Sequence, residues 1–414
     1  MAERVLSYEQ ALQQVLEHAH ALTPADVQER ADLLAALGCV LAAPITAPRD
    51  HPSFDRSTRD GFAVRAADFN ALDANRTLRL IGTLRAGESW SSLPLSAGQA
   101  IEIMTGAPLP AGADAVVMLE HVVVEGETLR LAQPRTLRIG EHVVARGAEA
   151  HSGDVLLPAG RRIGAAEIAV AASCGCAEVN VFAKPKVAII ATGDELVELA
   201  GQQPESWQIF NSNSYALAAL VQQNGARPHR LPIARDNLAD LRARLAAARD
   251  CDLMLFSGGV SAGKFDLVEQ LLTEAGAEFS FTGAKIQPGK PIVFGRLPRE
   301  QGWTYFFGLP GNPISTQVCF HLFVAPFVRA LAGETEIAPR FAEAHLAEPT
   351  RANPDLTRFL PAELTSAFDD ATVRLVGWQG SGDLTANARA NCYCVLPLRA
   401  ADFAAGETMR VLLR

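Results

Sequence analysis

The residues best placed to do chemistry lie in one run, Leu255-Phe256-Ser257-Gly258-Gly259-Val260-Ser261-Ala262-Gly263-Lys264-Phe265-Asp266. Here an apolar strand end gives way to a glycine-rich turn and then to the helix-like Leu267 to Leu272. Such a turn exposes backbone N–H groups, and the helix behind it presents the positive end of its dipole, so the pair attracts a phosphate. Gly258, Gly263 and Lys264 follow most of a P-loop, but the next position, where a Ser or Thr hydroxyl would hold magnesium, is Phe265. A standard nucleoside triphosphatase is thereby excluded. Asp266 either holds a metal ion from the turn or caps the following helix.

Two more turns follow apolar runs. Thr192-Gly193-Asp194-Glu195-Leu196 comes after Val187 to Ile190, and Gly308-Leu309-Pro310-Gly311-Asn312-Pro313 after Tyr305 to Phe307. These runs and Leu253 to Phe256 read as strands, alternating with helix-like Tyr215 to Gln223 and Leu238 to Ala248, with apolar Leu231 to Ala234 between the two helices. Alternation of this kind implies a parallel sheet, whose ligands bind outside the carboxyl ends of its strands. Three turns should therefore converge on one site within about Lys184 to Phe327. Asp194 and Glu195 can cap the segment that follows, but a carboxylate pair beside a phosphate site points more directly to a bound cation.

The rest of the chain must position that site. Ser7 and Gln10 form a capping-box pattern ahead of Leu12, Val15, Leu16 and Ala19, predicting an amphipathic first helix. A second helix is expected over Ala31 to Leu37, stopped by Gly38 and packed on the first. From His51 to Glu149 short alternating runs such as Leu78 to Leu84 and Ala115 to Val124 read as β-rich, and Thr372 to Val376 and Cys392 to Leu398 as strands of a small β tail. Phe306, Phe307, Phe320, Phe323 and Phe327 read as core.

A chain of 414 residues needs several domains, and its composition, 49% hydrophobic and 20% charged, is that of a globular protein. The net charge of −9 disfavours nucleic acid as a partner. Neither a signal-peptide pattern nor a long uncharged apolar run is visible, which predicts a cytoplasmic protein without a membrane partner. Seven cysteines lack zinc-site spacing; Cys174/Cys176 and Cys392/Cys394 are spaced CxC, which in a strand places both thiols on one buried face.

The motifs Ser257 to Asp266 (SGGVSAGKFD), Thr192 to Leu196 (TGDEL), Pro288 to Pro291 (PGKP) and Gly308 to Pro313 (GLPGNP) resemble the molybdopterin-binding domain of molybdenum cofactor biosynthesis. Asp50 to Val64 (DHPSFDRSTRDGFAV), Ile103 to Pro110 (IMTGAPLP) and Gly377 to Ser381 (GWQGS) are similar to segments of the MoeA and gephyrin E-domain branch, and the resemblance spans the chain. It implies an α/β multidomain fold: an elongated N-terminal domain (1–50 plus 150–183), a β-rich inserted domain (51–149), an α/β domain with a parallel sheet (184–335) and a C-terminal β-barrel-like domain (336–414). The implied enzyme is a molybdopterin molybdotransferase, which takes adenylylated molybdopterin and molybdate, uses a divalent cation such as Mg2+, and releases AMP. The implied assembly is a homodimer with the site shared between subunits, and the adenylylating enzyme of the same pathway is a candidate partner.

Matched residue by residue, the resemblance makes Asp60, Thr105, Glu195, Asp236 and Asp266 catalytic, with Glu195 and Asp266 on the metal side. Ser257, Gly258, Gly259, Ser261, Gly263, Pro310, Gly311 and Asn312 would bind substrate, with Lys290, Arg358 and Ser381 as anion contacts. Two departures stand out. Glu149, which the resemblance also counts among the substrate-binding residues, occupies a position where many relatives carry Asp, and Gln287 stands where many have a basic residue, with Lys285 two positions earlier. Two other readings are weighed: the adenylylation step, performed by small proteins that lack the Asp60 and Thr105 segment and the β tail, and a scaffold, which in the gephyrin branch accompanies a fused enzyme and long linker absent here.

Overall fold

The structure, a computed structural model, describes residues 4–22, 28–71, 76–199, 203–259, 267–300, 302–366 and 370–414. By contact the chain divides into two units, one of residues 1–43, 159–168 and 177–414, the other of residues 44–158 and 169–176.

The first unit is built on a six-stranded sheet in the order Arg227–Arg230, Lys186–Ala191, Leu253–Ser257, Trp303–Leu309, Val293–Pro298, Glu278–Phe281. The first four strands are parallel; Val293–Pro298 runs against them, and Glu278–Phe281 pairs antiparallel with it at the edge. The three central strands, Lys186–Ala191, Leu253–Ser257 and Trp303–Leu309, are almost continuously apolar because both faces are covered. Val187, Ile189, Leu253, Leu255, Tyr305 and Phe307 face one core, shared with Leu217, Leu220 and Val221 of helix Ser212–Gln223. The alternate residues Ala188, Ile190, Met254, Phe256 and Phe306 face another, shared with Leu241 of helix Leu238–Ala247 and with Val268, Leu271 and Leu272 of helix Leu267–Glu274. All five phenylalanines read as core are fully buried.

The first helix is Tyr8–His20, and both bonds of its capping box form: the Ser7 hydroxyl accepts from Gln10 N at 3.2 Å, and Ser7 N donates to the Gln10 side chain at 3.1 Å. It buries Ala11, Val15 and Ala19, spaced i, i+4, i+8, in the core that also holds Phe320, Phe323 and Phe327. The latter three lie on a continuous helix, Pro313–Leu331, with a π segment at Phe320–Val324. Among the described residues this is the one helix long and apolar enough to cross a membrane, but 83% of its apolar window is buried inside the protein, as expected of a core helix.

The tail is a closed barrel of five strands: Thr357–Ser366, Ala371–Leu375, Phe341–Leu346, Thr408–Leu413 and Cys392–Leu396, the last pairing back to the first. Closure removes the exposed edges that so short a sheet would otherwise present. Cys392 and Cys394 are buried in the barrel core, whereas Cys174 and Cys176 lie in no strand. They follow helix Ala165–Ser173, whose end is closed by Gly175 in the left-handed conformation and by Cys176 N donating to Ala171 O.

Two expectations fail. The helix expected over Ala31 to Leu37 is absent: Gln28–Asp32 is a strand paired antiparallel with Glu178–Phe182, and residues 33–38 make a turn in which the Asp32 carboxylate accepts from Leu34 N at 3.0 Å. Leu34 and Leu37 are exposed, so no second apolar face packs on the first helix. Gly38 does adopt the left-handed conformation, φ +78°, but it closes the turn instead of a helix. Likewise the apolar run Leu231 to Ala234 between the two helices is not itself a strand: the strand there is Arg227–Arg230, and Leu231 and Ala234 follow it as buried residues whose N–H groups still reach Ile189 O and Ala191 O. In both places a strand partner distant in sequence overrides local pattern.

The second unit contains a six-stranded mixed sheet in the order Ala115–Met118, Gly61–Val64, Gln99–Ile103, Leu78–Leu84, Thr128–Leu131, Val122–Glu125. Its buried side chains form a core on each face, one around Phe62, Val64 and Phe69, the other around Ala63, Ile101 and Ile103.

A pH dependence of stability follows from His321 on the Pro313–Leu331 helix. Its Nε2 is sealed from solvent without a partner, and burial, with Arg414 and Arg329 nearby, holds the imidazole down to about 4 from 6.5. The unfolded chain takes up this proton near pH 6.5 and the folded chain only near pH 4, so the contribution is whole above 6.5 and is lost as pH falls between the two. The expected loss approaches about 3 kcal/mol. Denaturant midpoints measured down to about pH 5 should show this slope in the native protein and a flatter one in His321→Phe.

Candidate active site

Sheet register aligns the three turns. Ala191 pairs with Ser257, and Ser257 with Leu309, so three adjacent strands end level and their turns leave side by side. Hydrogen bonds tie turn to turn: Thr192 N donates to Ser257 O at 3.1 Å, Gly258 N to Leu309 O at 3.2 Å, and Gly193 N to Ala234 O at 3.3 Å. The cavity above them has a volume of about 1040 Å3 and is lined from all three turns, by Thr192, Gly193 and Glu195, by Ser257, Gly258 and Gly259, and by Pro310, Gly311, Asn312 and Pro313.

Glycine is required at the turn's tightest point. Gly258 has φ +92°, and a Cβ there would lie 2.7 Å from the carbonyl oxygen of Thr192. The backbone of the SGG turn thus packs against the TGDEL turn as closely as main chain allows.

The acidic groups divide by role. Asp236, just before helix Leu238–Ala247, lines the cavity and accepts from the Thr192 hydroxyl at 2.7 Å, while its N–H donates to Asp194 Oδ1 at 3.3 Å. Glu195 lines the same cavity and is exposed to it, its carboxylate folding back over Gly193. Asp266, Ser261 and Gly263 lie outside the described residues. Among the described residues no three His, Cys, Asp or Glu side chains gather closely enough to hold a metal by themselves.

One residue that sequence reasoning passed over bridges two turns. Asn213 Nδ2, in the first turn of helix Ser212–Gln223, donates to Ser257 Oγ at 3.1 Å and to Gly311 O at 2.7 Å. Ser257, itself buried, is thereby oriented by a neighbour as well as available to a ligand. The legible signal was the run Asn211-Ser212-Asn213-Ser214, in which Asn211 caps the helix through Ser214 N.

Asn312 occupies the cap position of the Pro313–Leu331 helix, but its Nδ2 donates to Ser381 Oγ at 2.9 Å and Ile314 N donates to Ser381 O at 2.9 Å. The GWQGS segment is thus bound to the cavity rim, and Gly382 and Leu384 line the cavity beyond it. Ile286–Gln287 pairs in parallel with the start of Thr357–Ser366, setting Gln287 opposite Arg358. Arg358 Nη1 donates to Arg351 O at 2.9 Å, its Nε is buried without a partner, and burial lowers its pKa. Lys290 is exposed, and the next residue, Pro291, lines the cavity.

The remaining site residues belong to the second unit. Asp60 Oδ1 accepts from both Thr105 N at 2.7 Å and Thr105 Oγ1 at 2.8 Å. The backbone bond first, then the hydroxyl, hold the Asp60 carboxyl below its ordinary range, so it is ionised at neutral pH. Glu149 forms an exposed ion pair with Arg56 at 3.1 Å, a contact worth little to stability.

Level strand ends, glycine turns with close backbone approach and carboxylates on the cavity wall define an α/β protein with a ligand-sized cavity at the carboxyl edge of a parallel sheet, the place where such folds carry their sites. Three family models match: "MoeA N-terminal region (domain I and II)" over residues 6–175, "Probable molybdopterin binding domain" over 188–330, and "MoeA C-terminal region (domain IV)" over 343–413. The molybdopterin molybdenumtransferase of Nostoc sp. (strain PCC 7120) is 36% identical over 389 residues, 93% of this chain and 88% of that relative. That of Staphylococcus aureus (strain COL) is 35% identical over 91% of this chain and 89% of the relative. Among solved structures, a molybdopterin biosynthesis MoeA protein from Pyrococcus horikoshii OT3 superposes with a TM-score of 0.78 at 25% identity, covering 99% of this chain and 100% of the other. A second MoeA structure from Pyrococcus horikoshii gives 0.72 at 32% identity, covering 99% of each chain. The chain belongs to the molybdopterin molybdenumtransferase (MoeA) family of molybdenum cofactor biosynthesis enzymes.

Proposed function

We propose that this chain inserts molybdenum from molybdate into adenylylated molybdopterin with release of AMP, in the cytoplasm, with Mg2+ bound during turnover. The observation that carries the reading is the level register of Ala191, Ser257 and Leu309, which sets three anion-binding turns around one cavity of about 1040 Å3. That volume suits a ligand of pterin-nucleotide size.

The donor chemistry fits a hard divalent cation. Glu195 and Asp236 offer carboxylate oxygens on the wall beside the phosphate-binding turn, and magnesium commonly takes one or two carboxylates while substrate phosphate and water complete its shell. When bound, the ion supplies neutralisation of the charge that develops as the phosphoanhydride breaks. The chain's own residues do the rest. The Ser257 hydroxyl and the Gly259 main-chain N–H hold phosphate oxygens, Asn213 fixes that turn against Gly311, and Thr192 orients the Asp236 carboxylate through its hydroxyl. Lys290, Arg358 and Ser381 are the candidate contacts for molybdate, and the exposed Lys285 stands beside Gln287 to supply the charge that Gln287 lacks.

Asp60, held ionised by Thr105, is available to accept a proton or hydrogen bond from the reactants. In this proposal the protein acts as a homodimer in which Asp60, Thr105 and Glu149 of one subunit complete the cavity of the other. The test is AMP release from adenylylated molybdopterin by the purified protein with magnesium. Release is expected to require molybdate; release at the same rate without molybdate, or none with it, would sink the insertion reading.

A further inference from the structure

The structure assigns a second ligand site, lined by none of the residues that line the cavity above: we propose that a pocket where the Pro313–Leu331 helix meets the end of the barrel binds a phosphate monoester or another small dianion. The pocket has a volume of about 620 Å3, larger than bare phosphate requires and within the range of small-molecule sites. Four guanidinium groups line it, those of Arg162, Arg329, Arg340 and Arg414, against one side-chain carboxylate, Glu334, among the described residues.

Two of the arginines are held in place by carbonyl contacts that leave their charge uncompensated, and a third takes the one carboxylate. Arg329 donates from Nε to Ala325 O at 3.3 Å and from Nη2 to Ala338 O at 3.4 Å. Arg414 Nη1 donates to Asn387 O at 2.8 Å and Ala390 O at 2.7 Å. Arg162 spans Gln223 O at 2.9 Å and Glu334 at 3.1 Å, using the one carboxylate. Carbonyl oxygens orient a guanidinium without neutralising it, and charge gathered around a sheltered void costs free energy that a bound anion would recover.

His321 points to the same ligand. It lies on one helix face with Ala325 and Arg329, at i, i+4 and i+8, and lines the pocket. Its Nε2 is buried with no hydrogen-bonding partner, a state seldom left unfilled in a folded protein. The positive field is felt by both titratable neighbours: Arg414 and Arg329 help hold His321 in its neutral form, and burial, with Arg340 and Arg162, lowers Arg329 despite the opposing pull of Glu334. A dianion seated among the arginines would reverse that field and favour the protonated imidazole.

The full-length protein can report on this directly through 15N-labelled histidine, with the His321 resonance assigned by its loss in His321→Gln. Inorganic phosphate and a nucleoside 5′-monophosphate are titrated separately. The expected result is a saturable shift of the His321 ring signals and a rise in its apparent pKa, with tighter binding of whichever probe is the better mimic. Arg340 is exposed, and its side chain has no ion-pair partner among the described residues, so Arg340→Ala should fold normally. It should weaken binding about tenfold, with Arg340→Lys recovering part of the loss and turnover unchanged. A His321 signal unmoved by both probes at millimolar concentration, or shifted equally in Arg340→Ala, would overturn the assignment.

Discussion

Glu195→Gln and Asp60→Asn are each expected to lower AMP release by about a hundredfold or more while leaving the fold intact, because both side chains are exposed and neither supports a core. The two losses should differ in kind. Glu195 is the candidate cation ligand, so its amide should also raise the Mg2+ concentration needed for half-maximal rate about tenfold; Asp60→Asn should leave that requirement unchanged. Mixing then tests the proposed assembly. If Asp60 of one subunit serves the cavity of the other, a mixed dimer of the two variants has one fully native site. Random exchange of equal amounts should then restore about a quarter of native activity. If each chain completes its own site, every site in the mixture carries a lesion and no activity returns.

The second large effect is expected from Gly258→Ala. An alanine at φ +92° costs about 1–2 kcal/mol in backbone strain. Its Cβ, at 2.7 Å from the Thr192 carbonyl oxygen, would also push the SGG turn away from the TGDEL turn. Main chain blocks relief on that side, so the turn must move. Displacement of a positioned group by about 1 Å can cost a hundredfold in rate, and kcat/KM is expected to fall by about that factor. The strand behind it, Leu253–Ser257, remains buried on both faces, so the thermal midpoint should drop only by a few degrees. A Gly258→Ala enzyme with native kcat/KM would show that the turn's backbone does not hold the substrate.

The reading of the fold succeeded where local chemistry and tertiary environment agree. Lys186–Ala191, Leu253–Ser257 and Trp303–Leu309 were legible because strands covered on both faces are uniformly apolar, and the helices between them carry caps or periodic apolar residues. The Ala31 to Leu37 stretch misled because its composition suits a helix while Glu178–Phe182 offers Gln28–Asp32 a complete ladder of hydrogen bonds. Cys174 and Cys176 misled differently: CxC spacing places thiols on one face only in a strand, and these two lie at a helix end.

What the sequence determined by itself was the inventory of chemistry: glycines where a chain must turn tightly against its neighbour, carboxylates beside them, and an aspartate and a threonine, Asp60 and Thr105, that do hydrogen bond across two strands. Residue type suffices for this because conformational freedom, charge and hydrogen-bonding capacity are properties of side chains. Only the tertiary structure decided that Ala191, Ser257 and Leu309 stand level, that Asn213 ties Ser257 to Gly311, and that four arginines surround a histidine without an acceptor. These depend on hydrogen-bond register and packing between segments far apart in the chain, and no local pattern encodes the offset at which two distant strands meet.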